Sequence, residues 1–382
     1  LFPYTTLFRS GLVAIKATDS LELSRVTVQD NAFELRDMSL LSLVGGLLFA
    51  DGGGAPFSAQ HLLVARNSLA TAGNAQPNLQ TVLGAVLYLL NIDSARNVTV
   101  VDAVVKMAAL HRSWLGGLTL LVSRARVTFV CRQLTIANSS VTLDEAAMSS
   151  REFVHGGLLR IAGFANSSRI QDIELRDCAV TLGQHAVFAE MAGALVSIAS
   201  DFARARVELI GLRAHDNVVT THNLREFRGG VLSIEGLESL SLRGVSIRDC
   251  VVSAQLMISK GQFRGGVLFQ STGLDVGRFE LDDLKIERND LNVSLRGAGP
   301  LRIRGGVAHV QFGAARTLLL AHNTLRASAL LVEGGQVFAE ALSDVAVGCD
   351  FAVANSSTLL RATGGDPATS GAFLSLQGSR NS

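Results

Sequence analysis

The residues best suited to chemistry are four basic side chains at one repeated position. His155, Arg228, Arg264 and Arg304 each stand immediately before a glycine pair, and Phe227, Phe263 and Ile303 precede the arginines. Stacked as parallel strands, such arginines lie about 5 Å apart and repel unless they splay or find carboxylates. Glu226 and Glu235 are near enough in sequence to serve. Neutralised, the four residues make a solvated edge. Left open, they make a basic strip for an acidic glycan or another polyanion, which guanidinium forks grip through paired hydrogen bonds. A second recurring position reads Phe49, Tyr88, Leu120, Arg160, Ser197, Ser233, Phe269, His309, Phe338 and Ser375. Rings there would stack on sugars if open, or lie under variable loops.

No catalytic set and no metal set emerges elsewhere. The eight histidines make no HExxH motif and no Cys/His ligand spacing. The glycine pairs open strands rather than helices, so they are not phosphate loops, and no cofactor is expected. Cys131, Cys178, Cys250 and Cys349 form no CxxC pair. Cys178 and Cys250 share a repeat position two units apart, about 9–10 Å along a stack and beyond disulfide reach.

What positions these residues is a repeat, clearest in Gly229–Ala254, GGVLSIEGLESLSLRGVSIRDCVVSA. Leu232 and Ile234 share one face at period two, and Leu240, Leu242, Val245 and Ile247 give two apolar pairs split by a Gly244 bend. No segment has helical period or length. Three short strands make a rung that buries its apolar edge only when another rung stacks on it. Sister units start at Gly45, Gly84, Gly116, Gly156, Gly193, Gly265, Gly305, Gly334 and Gly371, and Gly11 fits the same register. Their spacing averages about 36 residues, with loops absorbing the variation. A second column keeps phase with the first: Asn31, Asn67, Ala108, Ser139, Cys178, Asn217, Cys250, Asn289, Asn323 and Asp350. Its side chains are expected to bond along the stack as a ladder at a tight bend, whereas Asn223 is expected to be exposed. The prediction is an all-β fold: one single-stranded right-handed parallel β-helix of about ten coils spanning residues 11–382.

Such a fold often serves polysaccharide chemistry, so acidic ladders matter. The bend column reads Ser24-Arg25, Val101-Asp102, Ile210-Gly211, Arg243-Gly244 and Asp282-Asp283, with no carboxylate repeated on neighbouring rungs. Asp282 and Asp283, adjacent in an extended segment, would point to opposite faces. The glycosidase-like scraps Asn91-Ile92-Asp93, His155-Gly156, Asp282-Asp283 and Arg302-Ile303-Arg304 fall in the wrong order. Composition agrees with a continuous core: 48% hydrophobic residues, 37 glycines and five prolines, with mean hydropathy +0.33. A balance of 34 basic against 33 acidic residues argues against nucleic acid as partner. The longest apolar runs are too short to span a bilayer.

Residues 1–10, LFPYTTLFRS, stand outside the repeat and resemble a translated sequencing-adapter peptide, so they are set apart as non-native. Repeat phase from Gly11 and a final rung cut at Ser382 predict truncation at both ends. Residues 51–60 and 70–78 read as loops, and 137–155 as a longer excursion. Five Asn-x-Ser/Thr sequons occur, at Asn97, Asn138, Asn166, Asn292 and Asn355, the first and third expected in loops. They fit a glycosylated surface protein as readily as chance.

The unit resembles the coil of the pectin-lyase-like superfold, and in particular the GGAI…FxxN repeat of polymorphic outer-membrane-type proteins. Here Ile247-Arg248-Asp249-Cys250 stands where FxxN is found. The Ala/Arg/Leu-rich composition and the sequons are also similar to the dispersed gene family surface proteins of kinetoplastids. Either resemblance implies a secreted or cell-surface protein with adhesive or structural work, binding glycans or host and cell-surface proteins along its length. The alternative is a polysaccharide lyase or glycoside hydrolase of the same fold.

Overall fold

The structure is a computed structural model. It describes residues 13–16, 20–36, 42–72, 81–110, 113–123, 127–146, 153–164, 166–185, 188–200 and 205–257. Beyond these it describes 261–271, 278–296, 301–312, 314–315, 317–328, 331–333, 336–341, 350–354, 356–361, 368–370 and 374–378.

The described strands pair in parallel into three sheets of 11, 13 and 19 strands, and no helix occurs among the described residues. A single turn shows why. Leu232–Glu235 lies in the first sheet, Ser239–Arg248 in the second, and Val251–Met257 with Gly261–Arg264 in the third. Each strand pairs with its counterparts in the turns before and after, as Leu232 does with Val196 and Leu268. Leu232, Ile234, Leu240, Leu242, Val245, Ile247, Val252, Leu256 and Phe263 are all buried, and one apolar core runs from Leu23 to Val337. The chain is therefore a parallel β-solenoid, as the repeat predicts.

Left-handed residues set the corners. Glycines 45, 84, 116, 156, 193, 229, 265 and 305 all have φ between 51° and 66°. These eight described corners bound seven full turns, fewer than the ten expected. Gly11, Gly334 and Gly371 lie outside the described residues.

A second left-handed column kinks the middle of the second sheet. It runs through Arg25, His61, Asn97, Gln133, Asp172, Gly211, Gly244 and Asp283. Strict alternation would turn Val245 outward after Leu242; one left-handed residue re-phases the strand so that both face the core. The sequence-derived bend column needs two corrections. Asn97, not Asp102, occupies this position in its turn, because Arg96 pairs with Gln60 and Val98 with Leu62. Asp283 has φ 56°, so Asp282-Asp283 is bent rather than extended.

A third left-handed column ends the second sheet at Asp30, Arg66, Asp102, Asn138, Asp177, Asp216, Asp249, Arg288 and His322. The residue after each forms the polar ladder. Asn289 shows the bonding: its Oδ1 accepts the Cys250 N–H at 3.0 Å, and its Nδ2 donates to Ile247 O at 3.3 Å. Its own N–H donates to Asn323 Oδ1 at 3.0 Å. Asn217 accepts from Cys178 N at 3.0 Å and donates to Leu175 O at 3.1 Å. Ala103, whose N–H donates to Ser139 Oγ, and Ser356, whose Oγ accepts from Asn323 N, take the places assigned to Ala108 and Asp350. Asn223 is buried and accepts from Arg296 Nη1, contrary to the expected exposure.

Within the stretch read as an excursion, Ser140–Ala146 and Phe153–His155 are strands of the third sheet that pair in parallel with the next turn. Phe57–Ala65 likewise begins inside the stretch read as a loop.

Candidate functional site

Two ladders flank the glycine corner. The last third-sheet residue of each turn aligns Val44, Leu83, Leu115, His155, Ala192, Arg228, Arg264, Arg304 and Glu333 in register. The second first-sheet residue aligns Phe49, Tyr88, Leu120, Arg160, Ser197, Ser233, Phe269, His309 and Phe338. Period two directs this second ladder away from the core, yet from Tyr88 to Phe338 every member is buried.

Residues of the first ladder contribute to the covering. Val44 and Leu83 join Phe49, Tyr88 and Leu120 in an apolar cluster of their own. Farther along, the Arg228 guanidinium lies 5.7 Å from the centre of the Phe269 ring, and that of Arg304 lies 5.5 Å from Phe338. Cation–ring contact of this kind explains why arginine holds positions that aliphatic residues hold earlier. The rings at Tyr88, Phe269 and Phe338 are closed to sugar stacking.

The four basic residues named by their spacing divide into two environments. His155 Nε2 lies 3.1 Å from Glu190 Oε1. Arg228 meets three carboxylates: Glu226 at 2.9 Å, Glu235 at 3.0 Å and Glu190 at 3.4 Å. Burial opposes the Arg228 charge, but the hydrogen bond it donates to Glu226 and the fields of Glu235 and Glu190 outweigh it, and its pKa rises. Burial would raise Glu190, yet His155 and Arg228 hold it below the ordinary value. This half of the strip is neutralised.

Arg264 and Arg304 lie in the other half. Among the described residues the only carboxylate within ion-pair distance of Arg264 is Glu226, 3.7 Å away and already engaged by Arg228; the Arg264 Nη2 donates to Gln262 Oε1. Burial, with Arg228 and Arg304 alongside, pushes the Arg264 pKa down. Arg304 pairs with Glu333. Arg302 is exposed and in register with Gln262, and its side chain makes no ion pair or hydrogen bond among the described residues. Gln262, Arg264, Arg302 and Arg304 together line a cleft. Sequence reading missed Arg302 and Gln262, although each stands two residues before a strip arginine and so on the same strand face.

His309 lies within this corner, between Phe269 and Phe338 at ring separations of 5.1 and 4.8 Å. Its Nδ1 is buried without a partner. Burial, then Arg264, Arg304 and Arg228, pushes its pKa down to about 3. An unfolded histidine titrates near 6.5, so between about pH 6.5 and 3 the unfolded chain binds a proton that the native one refuses. Stability should therefore be lost as the pH drops through that window, by up to about 1.4 kcal/mol per pH unit. His309→Phe, which completes the aromatic stack, should flatten that fall and be more stable than the parent at pH 5. Parallel stability curves for the two proteins in urea would contradict this.

A second concavity, on the second sheet, also escaped the sequence. Thr128, Ser167, Ser168, Ser239 and Ser241 line a shallow trough with Arg169, Arg206, Glu208 and Arg243. Its charges are compensated: Glu208 lies 3.3 Å from Arg169 and 3.7 Å from Arg243, Glu238 lies 3.6 Å from Arg206, and Glu280 lies 3.9 Å from Arg243. Cys131, Cys178 and Cys250 are free and buried, and burial raises their thiols to about 12, 11 and 11. Cys349 lies outside the described residues. Among the described residues no three His, Cys, Asp or Glu side chains come together to hold a metal ion. Comparison with protein-family models, curated proteins and solved structures finds no match to this chain.

Proposed function

We propose that this chain is a non-catalytic binding solenoid that takes an anionic glycan, uronate-containing or sulfated, at the cleft of Arg264, Arg302 and Arg304. The observation that supports this is the imbalance of charge at one corner. Three guanidiniums share Glu333 and a distant, already occupied Glu226, while the Gln262 amide adds a neutral hydrogen-bonding group. Axial stacking supports a linear ligand, since Arg264 and Arg304 stand in register one turn apart. The resemblance to outer-membrane-type and kinetoplastid surface repeats supports an extracellular or cell-surface setting. His155 and Arg228 serve in this reading as the neutralised flank that ends the site.

The test is retention on a heparin column at low salt. Each exposed guanidinium contact is worth under about 1 kcal/mol, so losing two should weaken binding up to about thirtyfold. Arg264→Ser with Arg302→Ser should elute at clearly lower salt than the parent, while Arg228→Ser, which removes a paired charge, should lose much less. Equal elution of the parent and the double variant, both folded by circular dichroism, would dismiss the cleft as a binding site.

A further inference from the structure

The asparagines of this chain divide without exception among the described residues. Asn97, Asn138, Asn166 and Asn292, each the first residue of an Asn-x-Ser/Thr sequon, are all exposed. The described asparagines outside sequons, at positions 31, 67, 91, 217, 223, 289 and 323, are buried or half-buried. Those seven have structural tasks. Asn31, Asn67, Asn217, Asn289 and Asn323 form the polar ladder. Asn91 donates to Asp51 Oδ1 at 2.8 Å, and Asn223 accepts from Arg296.

The four exposed positions make no comparable demand for asparagine. The Asn97 column also holds Arg25, His61, Gln133 and Asp172, and the Asn138 column holds Asp30, Arg66 and His322, all left-handed. Asn292 occupies an outward strand position, where asparagine is a weak choice, and its register partners are Ser253 and Arg326. We infer that Asn97, Asn138, Asn166 and Asn292 are acceptor sites for N-linked glycans. In the transfer, the side-chain amide nitrogen attacks the anomeric carbon of an oligosaccharide carried on a polyprenyl pyrophosphate. A C–N bond forms as the C–O bond to pyrophosphate breaks; the lipid pyrophosphate leaves, and the amide gives up one proton.

The fold accommodates the product. A glycosylated Asn97 keeps one amide hydrogen, enough to maintain its 2.9 Å contact with His61 Nδ1. Ser168, the hydroxyl residue of the Asn166 sequon, is buried in the solenoid, so transfer there precedes folding. The sites also have a direction. Asn97 and Asn138 lie in and at the end of the second sheet, Asn166 borders its trough, and Asn292 lies on the third sheet. None stands on the two ladders at the glycine corner, which stay free for ligand.

The experiment is secretion of the full chain from a eukaryotic host, followed by peptide-N-glycosidase and peptide mass spectrometry. The enzyme converts a glycosylated asparagine to aspartate. Conversion at positions 97, 138, 166 and 292 is expected, with slower gel mobility that Thr99→Ala, Ser140→Ala, Ser168→Ala and Ser294→Ala, made together with Ser357→Ala to remove the fifth sequon, abolish. A secreted, folded chain whose four sequons remain unmodified overturns the inference. Because heparin binding is measured on unmodified protein, failure of this result and failure of the anion cleft are separate findings.

Discussion

Replacing Gly265 with alanine should destabilise the protein by more than about 4 kcal/mol, beyond the range of ordinary single substitutions. The residue has φ 52°, and an added Cβ would overlap Leu268 O and come within 2.9 Å of His309 N. Left-handed strain alone costs about 1–2 kcal/mol; the rest comes from forcing apart two stacked strands whose backbone cannot yield. Gly244 provides the comparison. It has φ 60°, but a Cβ there would meet only Gly211 N at 3.9 Å. Its column already accepts asparagine, histidine and aspartate at positions 97, 61 and 172. Gly244→Asn should therefore cost under about 1 kcal/mol. Urea unfolding of both variants measures the difference. Similar losses would mean that backbone conformation, and not close approach, selects glycine at the corner.

The second large effect is expected at Asn289. Asn289→Ala leaves the Cys250 N–H and the Ile247 carbonyl without their side-chain partner in a buried corner, at about 1–3 kcal/mol for each group. Asn292→Ala, three residues away and exposed, should stay within about 0.5 kcal/mol in the unmodified chain. Asn289→Ser should recover part of the loss, because Ser139 keeps the bond from the preceding turn's N–H, although it donates to a carbonyl of its own turn instead of one in the turn before. Its Oγ accepts from Ala103 N at 3.1 Å and donates to Ala137 O at 2.7 Å. Equal stability of the alanine variants at 289 and 292 would remove the ladder from the forces that hold the fold.

The solenoid was legible in the sequence because its two strongest constraints are local and recurrent. A left-handed corner under a close-packed strand accepts little but glycine, and a buried bend demands a short polar side chain. Errors arose where a column tolerates many residue types. The kink inside the second sheet is held by arginine, histidine, glutamine and aspartate as well as glycine, so glycine marks it only at 211 and 244. Asp102 was consequently read into the place that Asn97 occupies, and Ala103 gave no polar signal at all. The candidate site was half legible. The strip residues shared a visible position, but the neutralisation of His155 and Arg228 depends on Glu190, which comes from the turn between them and carries no sequence mark of proximity. The burial of Phe269 and Phe338 escaped for a related reason: the strip itself contributes to their cover.

Pairing in this molecule joins each strand only to its counterparts in adjacent turns, as Thr119 pairs with Leu159 and Ala308 with Val337. Contacts therefore span a few tens of residues however long the chain becomes, for a relative contact order of roughly 0.1, low for an all-β protein. The chain does not have to close a long loop before its first favourable contact forms. Assembly can start at any well-formed pair of turns, such as those around Gly229 and Gly265, and zip in both directions. The same topology makes each terminal turn the place where unzipping begins, since it has one neighbour where every interior turn has two.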